Sequence, residues 1–128
     1  MIKLKSLIQE GTHSHVGIIE PNGKITSVYT HYDGYPENMK PAIKHHFKSD
    51  KDVKNYIKKG GATGIYKDKE VDRYYGSGGF VANGRVNNIS DYMQQADEKG
   101  GADWIYLYNT AKKKWFYGKY GKPLKPLY

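Results

Sequence analysis

The side chains with most chemistry to offer stand together in one octapeptide, Tyr29-Thr30-His31-Tyr32-Asp33-Gly34-Tyr35-Pro36. It holds an imidazole, a carboxylate and three phenols around an Asp-Gly turn. An imidazole changes charge near neutral pH, so His31 is the natural general acid or base, with Asp33 to orient it. On an extended strand Tyr29, His31 and Asp33 share one face, because side chains alternate with period two. Gly34 permits a tight turn, and Pro36 suits the first turn of a helix. A helix N-terminus at Tyr35–Asn38 would favour a phosphate or carboxylate, with His31 beside it. The candidate ligand-binding residues are therefore Tyr29, His31, Asp33, Tyr35 and Lys40, joined by Trp104 and Tyr106 from near the C-terminus. A reading without a ligand competes with this one. In it Asp33 closes an Asx turn, His31 donates to a carbonyl and the tyrosines pack.

Other chemistry is thinner. His13 and His15 alternate as two metal ligands on one strand face would, but no third ligand is visible nearby, and no metal site is assigned. The chain has no cysteine, which removes disulfides, Cys-type zinc sites, thiol nucleophiles and iron–sulfur clusters. Its acids are scattered, against a metal-dependent hydrolase. Gly76-Ser77-Gly78-Gly79 is not a phosphate loop of the Walker type, because no Gly-Lys-Ser/Thr follows. It reads as a loop, and no cofactor is implied.

Charge adds a second candidate surface. The net charge is +8, and it is unevenly distributed. Residues 36–59 carry seven Lys against three acids, or +4, and residues 99–128 carry seven Lys against one Asp, or +6. Such a field attracts polyanions, although solvated lysines need no partner at all. Near the C-terminus Lys112, Lys113, Lys114 and Lys119 interleave with Trp115, Tyr117 and Tyr120, a pattern suited to single-stranded nucleic acid. The nucleic-acid-binding candidates are Lys112, Lys113, Lys114, Trp115 and Lys119. Only two residues are Arg, Arg73 and Arg85, which argues against sequence-specific reading of base edges.

The elements that must position these groups follow from periodicity. Residues 16–19 and 25–31 flank the turn signal Pro21-Asn22-Gly23 and predict a β-hairpin. A helix is expected over 37–48, with Met39, Ala42, Ile43 and Phe47 inward. A second follows from an Asp50 cap to the stop Gly60-Gly61, with Val53, Tyr56 and Ile57 inward. Short strands are expected at 65–66 and 71–75. A third helix is expected over 91–99, capped by Ser90. Trp104–Tyr108 and Lys114–Tyr117 predict a second hairpin, with Ile105 and Leu107 in the core and Trp104, Tyr106 and Tyr108 on the other face. The expected fold is one α+β domain over 1–128: an antiparallel sheet from two hairpins, three short helices on one face, and a flexible basic tail at 118–128. No signal peptide is read at the N-terminus, and no run approaches the roughly eighteen apolar residues of a membrane helix.

The octapeptide and the aromatic hairpin, Trp104-Ile105-Tyr106-Leu107-Tyr108 with Lys114-Trp115-Phe116-Tyr117, resemble a family of small, largely uncharacterised bacteriophage and bacterial proteins. That family has a Tyr-x-His-Trp-Asp-Gly-Tyr core; here Tyr32 stands at the Trp position. The resemblance implies a phage accessory protein, for host takeover or anti-defence, in the cytoplasm of an infected bacterium. It assigns no residue a role. The residues themselves point to a non-enzymatic binder of a nucleotide, a nucleic acid or a host protein, with no membrane partner. Two alternatives stand beside it: a small nuclease or phosphodiesterase using His31 and Asp33, and an inhibitor of an acidic host protein acting through its Lys/Tyr surface.

Overall fold

A computed structural model of the chain describes residues 12–71 and 81–128. The apolar start at Leu4, Leu7 and Ile8, most of the strand expected at 71–75, and the glycine run at 76–79 lie outside the described residues. In chain order the elements are β1 (Ser14–Ile19), β2 (Lys24–Tyr32), α1 (Pro36–His46), α2 (Asp50–Lys59), β3 (Ala62–Gly64), β4 (Ala82–Arg85), a 3-10 turn (Val86–Asn88), α3 (Ile89–Glu98), β5 (Trp104–Asn109), β6 (Lys114–Gly118) and β7 (Lys125–Pro126). Among the described residues no helix is long and apolar enough to cross a membrane.

Strands β1 and β2 pair antiparallel, with Ile19 opposite Ile25 and Ser14 opposite Thr30. Their turn is closed by the Gly23 N–H on the Glu20 carbonyl at 2.8 Å, and Gly23 takes a left-handed φ of 86°. That conformation costs little only for glycine. Strands β5 and β6 also pair antiparallel, with Tyr106 opposite Tyr117 and Tyr108 opposite Trp115. The sheet as a whole is mixed rather than antiparallel. Its order is β3-β2-β1-β5-β6-β7, with β4 pairing on β2 as well. At the centre β1 runs parallel to β5, and β3 runs parallel to β2. Parallel strands sit where both faces are covered. Every residue of β1 is buried, as are the middle four of β5.

Covered faces require helices on both sides, and the expectation of one helical face is corrected accordingly. Val16, Ile18, Val28, Tyr106, Tyr108 and Trp115 pack under α1 and α2, against Met39, Ile43, Phe47, Val53 and Tyr56. Ile19, Ile25, Ile105 and Leu107 lie on the opposite face, under Tyr92, Met93 and Ala96 of α3. The result is three layers, helix, sheet and helix. Tyr106 and Tyr108, expected on an open face, are core residues at 0% and 8% exposure.

Local caps differ from the sequence reading. Helix α2 is capped by Ser49, whose hydroxyl accepts the Asp52 N–H at 3.3 Å, so Asp50 is its first residue and not its cap. Helix α3 begins at Ile89, ahead of Ser90. The stretch 118–128, expected as a flexible tail, is docked. Lys125 and Pro126 pair with β6, Leu127 is 2% exposed, and the Tyr128 hydroxyl donates to the Lys40 carbonyl at 2.6 Å.

Candidate functional site

The octapeptide forms the corner where β2 turns into α1, and most of its groups are spent on holding that corner. Asp33 takes a left-handed φ of 54°, which Asp tolerates better than most residues. Its carboxylate accepts the Tyr66 hydroxyl. The Asn38 amide donates to the Asp33 carbonyl at 2.8 Å and to the Ile65 carbonyl at 2.9 Å. Gly34 donates to the Thr12 carbonyl at 2.9 Å and accepts the buried Tyr106 hydroxyl at 2.7 Å. A side chain at Gly34 would put its Cβ 2.7 Å from that of Ser14. At the start of α1 the Asn38 and Met39 N–H groups both turn onto the Tyr35 carbonyl, at 3.1 and 3.0 Å. Glu37 adds a carboxylate to the same turn. These features favour a structural corner over an anion site at Tyr35–Asn38.

The same corner separates the residues that the sequence grouped. Tyr29 and His31 do share one face, and the Tyr29 hydroxyl lies 2.9 Å from His31 Nδ1. Asp33 is turned away, onto Tyr66, so no His31–Asp33 dyad forms. Asp103 accepts the backbone N–H of His13 at 2.8 Å. Tyr106 points into the opposite layer. Trp104 stacks on Tyr117 at 5.9 Å, under the Lys119 ammonium at 4.4 Å. Lys40 lies beside the Tyr128 ring.

Beside Tyr29 and His31 the fold adds His13 and His15, giving a patch of three imidazoles and a phenol. His13 and His31 stack with centroids 4.9 Å apart, and His13 Nδ1 donates to the His31 carbonyl. A carbonyl only accepts, so neutral His13 carries its proton on Nδ1. Partial burial and then the charge of His13 hold the His31 pKa below its ordinary value. His15 is fully buried, with Nδ1 2.8 Å from Ser27 Oγ and Nε2 3.3 Å from the Gly100 carbonyl. Sequence reasoning missed the His13–His31 pair, although the turn at 21–23 encodes it. Pairing Ile19 with Ile25 puts His13 opposite His31 in continued register. Among the described residues no three His, Asp or Glu side chains group to hold a metal ion.

The basic candidates assemble elsewhere. Lys113 also has a left-handed φ, 56°, in the β5–β6 turn. Its ammonium reaches across to α2 and meets Asp50 Oδ2 at 2.7 Å. The Tyr108 hydroxyl donates to the other oxygen of Asp50 at 2.8 Å. Hydrogen bonds from Lys113 and then Tyr108 hold the Asp50 carboxyl below its ordinary pKa. Burial and this same contact push the Tyr108 phenol up to about 12. Around the pair lies a groove of about 560 Å³, lined by Phe47, Lys48, Lys51, Tyr108, Lys113 and Trp115. Trp115 itself is a core residue, 6% exposed and packed on Phe47 and Tyr108, so its face is no open stacking platform. Lys112 lies over Phe116, and Lys114 and Lys119 are exposed. The sequence marked the hairpin lysines but not Lys48, Lys51 and Asp50 opposite them. Only the two regional charge excesses hinted at that meeting. No protein-family model, curated protein or solved structure matches the chain.

Proposed function

We propose that the protein is a non-enzymatic binder of a phosphate-bearing ligand, single-stranded nucleic acid or a nucleotide, taken up in the groove between the α1–α2 junction and the β5–β6 hairpin. The observation that carries this reading is the reach of Lys113 to α2, 63 positions away in sequence. Through it the chain's two basic stretches converge on one groove with an aromatic floor. Ammonium groups attract phosphates as point charges, and aromatic side chains offer apolar contact to a base. With 19 of its 21 cationic residues lysine, the chain suits sequence-tolerant binding better than the bidentate reading of bases that Arg provides. The octapeptide's resemblance supports an accessory role for a bacteriophage in the cytoplasm of its host. A hydrolase built on His31 and Asp33 draws no support from the geometry, since Tyr66 engages Asp33.

Fluorescence anisotropy with a dye-labelled oligodeoxythymidylate tests this reading. If Lys48, Lys51 and Lys113 each neutralise one phosphate, the log–log slope of affinity on salt is about −2, at about −0.7 per contact for a single strand. Lys51→Ala is expected to make that slope shallower by about 0.7. Absence of binding at low salt, or binding indifferent to salt, would refute the proposal.

A further inference from the structure

Asp50 lines the groove that the binding reading assigns to an anionic ligand. Its two carboxylate oxygens are shared between the Lys113 ammonium at 2.7 Å and the Tyr108 hydroxyl at 2.8 Å. Among the described residues this is the one ion pair between a basic and an acidic side chain. Stability is a poor reason for it. Lys113 is 65% exposed and Asp50 32% exposed in their side chains, and pairs so wetted contribute little to folding. Capping is no reason either, because Ser49 already caps α2. The turn meanwhile keeps a lysine at a left-handed φ of 56°, where Gly or Asn would fit with less strain. A residue held against its local preference points to use of its side chain.

We propose that Asp50 is a built-in competitor for the ligand's phosphate: it holds Lys113 until a phosphate takes the ammonium over, and so sets the affinity of the groove. The inference rests on the binding reading above, and it names the regulation of that site. Removing the carboxylate releases Lys113 and removes a repulsive charge from beside the incoming phosphate. Because any lost acid strengthens polyanion binding somewhat, the measurement needs a variant with the same charge change elsewhere.

The experiment is anisotropy of labelled oligodeoxythymidylate at fixed salt with wild type, Asp50→Asn, Asp50→Ser and Asp68→Asn, the last an exposed acid outside the groove. Both Asp50 variants are expected to tighten binding about tenfold, the scale of one charge-assisted hydrogen bond, and well beyond Asp68→Asn. In a Lys113→Gln background the Asp50→Asn gain is expected to shrink toward that of Asp68→Asn, leaving only the part due to the repulsive charge removed from the groove. Equal gains from Asp50→Asn and Asp68→Asn, with wild type still binding, would overturn this inference and leave the binding reading standing. No binding by wild type or by Asp50→Asn would overturn both. Loss of the folded circular-dichroism signal in both Asp50 variants would also overturn it, by making Asp50 structural.

Discussion

Acid should unfold this protein through His15, and the size of the effect can be worked from its surroundings. The Gly100 carbonyl only accepts, so Nε2 carries the proton and Nδ1 receives the Ser27 hydroxyl proton. Ser27 Oγ in turn accepts the Tyr92 hydroxyl at 2.6 Å. Donation therefore runs one way, from Tyr92 through Ser27 and His15 to Gly100, and a second proton on the ring opposes it. Burial lowers the His15 pKa from 6.5 to about 4, against the upward pull of the Gly100 contact. Between those values the unfolded chain binds more protons than the folded one, so stability rises with pH. The contribution is complete above pH 6.5 and drains away as pH falls to about 4. At about 1.36 kcal/mol per pH unit the window is worth about 3 kcal/mol, a large part of a stability of about 5–15 kcal/mol. The assay is urea unfolding at a series of pH values, for wild type and His15→Gln, whose amide can still donate to Gly100. His15→Gln is expected to be less stable at pH 7 but flatter by about 3 kcal/mol between pH 6.5 and 4. Parallel stability profiles for the two proteins would refute the argument.

Other outcomes can be checked on the corner and the histidine patch. Tyr106→Phe leaves the buried Gly34 carbonyl without its hydroxyl donor and should cost about 1–2 kcal/mol in urea unfolding, with the core volume kept. Gly34→Ala drives a Cβ to 2.7 Å from that of Ser14 and should cost about 1–3 kcal/mol in the same assay. His13→Asn removes a like charge beside His31, so the His31 pKa, read from its ring proton shift by NMR, should rise toward its ordinary value while its partial burial keeps it below. An unmoved His31 titration would mean that the two stacked rings do not sense each other's charge.

The two antiparallel pairs were legible because each has local signals: Pro21-Asn22-Gly23 for the first, and two aromatic runs around Asn109–Lys113 for the second. Their union was not. Residues 104–108 alternate between aromatic and aliphatic side chains, so both phases are apolar, and a period-two pattern cannot say that both faces are covered. The same ambiguity hid the second helical layer and left Tyr106 and Tyr108 looking available. At the corner, strand alternation put Tyr29 and His31 together correctly. It failed at Asp33, where a left-handed φ redirects the chain. Lys113 and Asp50 could not be paired in advance, because their contact depends on how α2 lies across the sheet. Ser49, one residue earlier, was as good a cap as Asp50 by type, and choosing between them decided whether the Asp50 carboxylate was engaged.

The parallel pairing of β1 with β5 bears on how the chain reaches this state. Ser14 lies opposite Trp104, so the two central strands of the sheet come from near opposite ends of the described chain. During synthesis β1 and β2 can form early as a hairpin, yet one flank of β1 keeps its backbone groups unsatisfied until β5 emerges. Loops that long close slowly, and an open strand edge invites pairing with another chain. A ribosome-bound chain ending before Trp104 would therefore be held as an unclosed half-sheet, with Val16 and Ile18 still lacking their lateral neighbours Tyr106 and Tyr108. Folding of this protein is in that sense a late event, decided by the strands from Trp104 onward.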